Sequence, residues 1–258
     1  MIAVGLLLAL ALPDRVPVPA GMSTLGSGDG DTDERPARRA FVAAFELDRT
    51  EVTVGAYRRC VARGVCAPVS LPADDTLPVT GVSWHEARRF CRLGGGRLPT
   101  EAEWERAARG DDGRRFPWGD APSCEKANHG SWKGEGLCGR ENPGRPEPVG
   151  RRPAGQSPFG ALDLAGNVWE WVADAWSPRP ARGARNPRGP ARGARQVVKG
   201  GSCCSELLEP RAANRAAFPA SYRDEDIGFR CAYSPGGPTG WASSGARGRG
   251  TPRRRGTP

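Results

Sequence analysis

Two adjacent thiols, Cys203 and Cys204, follow a glycine turn in the run Lys199-Gly200-Gly201-Ser202-Cys203-Cys204-Ser205. Vicinal sulfurs can exchange with disulfides, bind a soft metal ion or stay inert, and the geometry of the backbone decides among these. On an extended strand successive side chains point to opposite faces, so this spacing predicts that the two sulfurs face apart. Histidine chemistry is thin, because His85 and His129 are the two histidines of the chain and no His-rich zinc or iron site can be built from them. No nucleophile elbow surrounds Ser202, so a Ser/His/Asp triad is not supported.

The remaining cysteines are placed to hold loops. Cys60 and Cys66 sit across Gly64 at the end of a predicted helix, near enough for a local disulfide, and Cys124 and Cys138 enclose a short loop. Eight cysteines in a loop-rich chain point to oxidising surroundings. Ile2 to Leu12 forms an apolar stretch with Ala9-Leu10-Ala11 as a cleavage-like site, but no Lys or Arg precedes it. Residues 1–15 are accordingly expected to be a leader, with an extracytoplasmic (periplasmic or secreted) destination. The stretch is too short to span a bilayer, and nothing later approaches a membrane helix.

The elements that must position these residues are short. The chain has 258 residues, 36 Gly and 25 Pro, and 38% hydrophobic residues, which predicts a loop-rich domain with little regular structure. Phe41 to Leu47 reads as a strand, and Thr53 caps a helix whose inner face carries Val54, Tyr57 and Val61. Ser83-Trp84-His85-Glu86 and Thr100-Glu101-Ala102-Glu103 have capping-box spacing. The first box opens a helix with Trp84, Ala87, Phe90 and Cys91 inward, and the second a helix with Trp104, Ala107 and Ala108 inward. Gln196 to Lys199 and Ile227 to Tyr233 read as the last strands. The class is α+β, as one domain over 16–234.

The net charge of +9 is concentrated in two segments. Ser177 to Arg195 holds six Arg and no acid, and the tail from Ser234 holds five more; without these eleven, 27 basic residues face 29 acidic ones. Both segments are rich in Pro, Gly and Ala, so loop 177–195 and tail 235–258 are expected to be mobile and solvated. This distribution argues against a specific nucleic-acid surface, although a polyanion binder acting through the two Arg segments is a third reading.

Four blocks in fixed order are highly specific. They are Val82-Ser83-Trp84 through Arg97-Leu98-Pro99-Thr100-Glu101-Ala102-Glu103-Trp104-Glu105 with Pro117-Trp118-Gly119; Gly166-Asn167-Val168-Trp169-Glu170-Trp171; Gly200-Gly201-Ser202; and Gly228-Phe229-Arg230-Cys231. Over about residues 16–234 the chain resembles the formylglycine-generating enzyme, or sulfatase-modifying factor, family. The resemblance implies a C-type-lectin-like fold with short strands and two capped helices, tied by disulfides and calcium. The enzymes of that family oxidise a client sulfatase cysteine to formylglycine with oxygen and Cu(I) held by two thiols.

Carried over residue by residue, the copper thiols fall on Ser205 and Pro210, so the resemblance implies no copper centre here. A family disulfide falls on Ala108 and Ala212 and is lost; another falls on Cys91 and Cys231 and is kept. With Cys60–Cys66 and Cys124–Cys138, this leaves Cys203 and Cys204 over, with three states open: reduced, linked to each other, or exchanged into another pair. Trp169 and Ser202 match residues lining the substrate pocket. The family calcium site falls on Asp163, Gly166, Val168 and Glu170, while a second site beginning at Asn128 and His129 lacks its later acidic ligand in 134–139. The expectation is an exported, monomeric, calcium-binding member without copper, whose cleft takes a peptide or small molecule. The alternative is a formylglycine-generating oxidoreductase with an altered thiol site drawing on Cys203 or Cys204.

Overall fold

The computed structural model describes residues 14–130, 138, 144–190, 192–206 and 209–236. The expected leader, apart from residues 14 and 15, and the tail beyond residue 236 lie outside them, as does most of 134–139.

Among the described residues, nine short strands and three α-helices carry the chain. β1 (Arg15–Val18), β4 (Phe45–Asp48) and β9 (Ala232–Tyr233) form an antiparallel sheet with β4 central. β2 (Gly21–Leu25) and β3 (Arg38–Val42) form a ribbon. β5 (Trp169–Ala175), β6 (Arg195–Lys199), β7 (Arg215–Pro219) and β8 (Ile227–Gly228) form a sheet in the order β7-β6-β5-β8, antiparallel except for β5 with β8. Alternation along β5 and β6 divides the interior: Val172 and Val197 join a core with Val16, Leu47, Trp104 and Leu164. Their neighbours Trp171 and Val198 join a second core with Tyr57, Phe90, Ile227 and Phe229. The four-stranded sheet is thus the wall between two cores, and the candidate site grows from its ends.

The helices start where side-chain oxygens take up early amides. α1 (Val54–Ala62) is capped by Thr53, whose hydroxyl accepts from Ala56. α2 (Trp84–Leu93) and α3 (Glu101–Arg109) each open on a complete capping box, from Ser83 with Glu86 and from Thr100 with Glu103. Trp84 is half-buried, and its indole N–H donates to the Val172 carbonyl at 2.7 Å. All three predicted bridges are formed: Cys60–Cys66, Cys91–Cys231 and Cys124–Cys138. Three disulfides fit an oxidising, extracytoplasmic environment. Among the described residues no helix is long and apolar enough to cross a membrane.

Two predicted strands are each broken in two. Phe41 to Leu47 stops pairing at Ala43, whose amide donates to the Asn186 side chain, so β3 joins β2 and β4 joins β1. Ile227 to Tyr233 is interrupted because Arg230 turns inward to Glu170, which sends β8 and β9 to different sheets. The Arg-rich loop, expected to be mobile, is pinned at several points. Phe41 donates its amide to Ala184 and accepts from Asn186, and Gly189 donates to Asp174. The guanidinium groups of Arg185 and Arg195 lie over the rings of Phe41 and Trp176.

Candidate functional site

The thiol segment begins where β6 ends at Lys199. Gly200 and Gly201 adopt φ of 96° and 71°, a region costly for residues with a Cβ, and a Cβ on Gly201 would come 3.1 Å from the Pro210 backbone. The chain therefore turns. Ser205 donates its amide to the Ser202 carbonyl at 3.2 Å, and Ser202 donates its own to Ser205 Oγ at 2.9 Å. Residues 203–205 form this turn rather than a strand, which corrects the expectation that the two sulfurs face apart. Cys203 and Cys204 Sγ lie 3.3 Å from each other, outside any disulfide.

Each member of the turn is fixed by a partner. The Cys203 amide donates to the Asn167 carbonyl at 2.9 Å, and the Cys204 amide to Ser202 Oγ at 3.2 Å. The Ser202 hydroxyl donates to Asp226 Oδ2 at 2.7 Å. Burial pushes the Cys203 thiol well above the ordinary range, and the hydrogen bond with Cys204 and the charge of Asp226 push it further. Cys203 is thus a neutral thiol near neutral pH. Cys204 is more open and directs its sulfur to the Gly144 carbonyl at 3.4 Å.

Trp169 stands at the start of β5 and borders a cleft of about 690 Å³. Asp29, Arg115, Glu209 and Arg211 line the same cleft, whereas Ser202, Cys203 and Cys204 are not among its lining residues. Trp169 and the thiol turn nonetheless meet at Asp226, whose carbonyl accepts the Trp169 amide at 2.8 Å and whose Oδ2 accepts the Ser202 hydroxyl at 2.7 Å. The cleft's charges are largely paired: Arg115 with Asp29 at 2.6 Å, Arg211 with the buried Glu34 at 2.9 Å, and Arg215 with Glu101 at 2.8 Å. Sequence reasoning missed Glu34 and Arg211, which lie 177 residues apart and carry no local motif.

The oxygen-rich turn precedes β5. Asp163 and Asn167 both adopt left-handed backbone, with φ of 58° and 61°, where Asp and Asn are tolerated best. Both oxygens of Glu170 are engaged: Arg230 donates to Oε2 at 2.8 Å and to Oε1 at 2.7 Å, and the Trp104 indole donates to Oε2 at 2.8 Å. Removing one partner of such a buried pair leaves an uncompensated charge costing about 3–5 kcal/mol. Asp163 Oδ2 accepts the Gly150 amide at 2.6 Å. Glu51 was missed by sequence reasoning, yet it is the second carboxyl here. Its Oε1 accepts from Asn167 Nδ2 at 2.9 Å, while no hydrogen-bond donor reaches its buried Oε2. Burial first, and then the charge of Asp163, raises Glu51 well above the usual carboxylate range, and burial raises Asp163 as well. The two carboxyls are close enough to share a proton, and the same oxygens, once both ionised, suit a hard divalent cation. Among the described residues no group of three or more His, Cys, Asp and Glu side chains gathers as a metal site, so a cation here would need backbone carbonyls too.

Residues 8–235 match the family described as sulfatase-modifying factor enzyme 1-like domain. The formylglycine-generating enzyme of Mus musculus is 32% identical over 283 residues, covering 86% of this chain and 76% of that protein. An inactive C-alpha-formylglycine-generating enzyme 2 of the same species is 35% identical over 166 residues, covering 63% of this chain and 51% of that protein. Identity alone thus does not separate catalytic from non-catalytic members. Among solved structures, PvdO from Pseudomonas aeruginosa superimposes with a TM-score of 0.69 at 26% identity, covering 86% of this chain and 94% of that one. With its α+β architecture, its order of motifs and a match over most of its length, the chain belongs to the sulfatase-modifying factor enzyme 1-like domain family.

Proposed function

We propose that this protein is an exported, monomeric member of the family that binds a ligand without copper oxidation. The observation that carries the reading is Ser205. It stands where the family resemblance puts the first copper thiol, it is buried, and its hydroxyl accepts the Ser202 amide. The second thiol position is Pro210, which has no side-chain donor. The ligand would enter the cleft beside Trp169. An aromatic face with acids (Asp29, Glu209) and bases (Arg115, Arg211) around it suits a zwitterionic chain such as a peptide, or a polar small molecule. Calcium would be held by Asp163 and Glu51 with the carbonyls of Gly166 and Val168, while Glu170 stays with Arg230.

The test is direct. The full chain is supplied with Cu(I) and oxygen and offered a Cys-X-Pro-X-Arg peptide, with a formylglycine-generating relative as control. The expected result is no aldehyde by mass spectrometry and no tight Cu(I) binding. Aldehyde formation that disappears when Cys203 and Cys204 are both replaced by serine would overturn the proposal in favour of an oxidoreductase with a shifted thiol site.

A further inference from the structure

Six of the eight cysteines are locked in disulfides, and the ligand-binding reading gives the other two no task. Their geometry does. The Cys203 and Cys204 sulfurs are 3.3 Å apart, and a bond of about 2.05 Å needs an approach of little more than about 1 Å. The two sulfurs are unequal: Cys203 is fully buried, whereas Cys204 is partly open. Only the open one can meet an incoming molecule, and the buried one already touches it from behind. That is the arrangement of an attacking thiol with a resolving partner.

We propose that Cys203 and Cys204 form a thiol–disulfide exchange site whose co-substrate is an external disulfide, carried by a small thiol or by a protein oxidoreductase. In the first step the Cys204 thiolate attacks one sulfur of the external disulfide. A mixed disulfide forms, and one external thiolate leaves and takes up a proton. In the second step Cys203 gives its proton to solvent and attacks the Cys204 sulfur, closing the vicinal bond and expelling the second external thiolate. Two protein thiols are oxidised and one external disulfide is reduced to two thiols. Burial keeps Cys203 protonated, so the second step is the slower one. The closed ring is readily reopened by the same chemistry. Adjacent Cα atoms are about 3.8 Å apart, shorter than the usual disulfide span of about 4.4–6.8 Å, and strained disulfides are the labile ones.

The full chain, with its three disulfides intact, is equilibrated with reduced and oxidised glutathione, trapped with N-ethylmaleimide and digested with trypsin. The peptide from Gly200 to Arg211 holds Cys203 and Cys204 and no other cysteine. With rising oxidised glutathione this peptide is expected to lose both alkylatable thiols and become lighter by two hydrogens. C203S should stop as a glutathione adduct on Cys204, and C204S should react at least about tenfold more slowly than the parent. C203A gives the same readout if a serine hydroxyl disturbs the buried turn. A Cys-X-X-Cys oxidoreductase in its disulfide form, run in parallel, tells a protein co-substrate from a small one by which oxidises the pair faster. Two alkylatable thiols persisting with both oxidants, or C204S reacting as fast as the parent, would overturn the proposal. None of these readouts depends on copper or on the cleft.

Discussion

Asp48 ends β4 with no solvent around it; its Oδ2 accepts the Cys231 amide at 2.9 Å, and no donor reaches Oδ1. Burial raises this carboxyl to about 7. Asp174, which accepts the first amide of α3, is raised to about 6, again chiefly by burial. Both values lie above those of the unfolded chain. The stability these groups contribute is therefore fully present below about pH 4 and is lost as pH rises through the folded values. Each group contributes a slope of at most about 1.4 kcal/mol per pH unit. Asp29 and Glu86, shifted the other way, lose their contribution only on acidification below their ordinary values, outside this window. His129, held below its ordinary value by burial, opposes the decline below about pH 6.5, but one such group does not outweigh two carboxyls. Denaturant titrations at intervals from pH 4 to pH 7.5 should thus show stability falling as pH rises. D48N should flatten the part of the decline near pH 5–7. A parent and a D48N variant with the same slope would show that Asp48 does not titrate in this range.

At the scale of elements, α3 couples the fold to the site. It is buried nearly all round, and its acids reach across to the sheet: Glu101 pairs with Arg215 on β7, and both Glu101 and Glu105 approach the buried Lys199 at the end of β6. Losing the Thr100 hydroxyl frees an amide at the helix start, so T100A should cost about 1 kcal/mol, within a range of about 0.5–2. T100S should stay within a few tenths of a kcal/mol of the parent, as about equal caps do. Urea midpoints check both, and equal loss in T100A and T100S would point to packing rather than capping.

This helix also shows what was legible in the sequence. Its start was, because a capping box is a local contract between residues three apart. Its buried charged face was not, because Lys199 and Arg215 are roughly a hundred residues away and no periodicity announces them. The broken strands have the same origin: Ala43 and Arg230 are diverted by partners remote in sequence. The thiol turn is the clearest case. The glycines before it were read, but the two sulfurs converge only because Ser202 and Ser205 close a turn where a strand was expected.

Across the whole molecule, order depends on links between distant segments more than on long elements. The Cys91–Cys231 bridge spans 140 residues, joining α2 to the segment between β8 and β9. Glu51 and Asp163 make a comparable link just beyond the same end of β4, where Asp48 pairs with Cys231. One carboxyl lies between β4 and α1, the other in the turn ahead of β5, and as buried like charges they repel unless a proton or a cation stands between them. A divalent ion would turn that repulsion into a crosslink, and ligand bound only by the folded chain stabilises it by about 2.7 kcal/mol at a hundred times Kd. Calcium added to chelator-treated protein should therefore raise the thermal midpoint in a concentration-dependent way. Magnesium should do less, because it gives up its water reluctantly and demands a tighter octahedron. E51Q and D163N should each weaken the calcium response, and they should raise the midpoint of the calcium-free protein because the repulsion is gone. A midpoint indifferent to millimolar calcium, with neither variant more stable than the parent, would mean that a shared proton rather than a metal ion holds the two segments together.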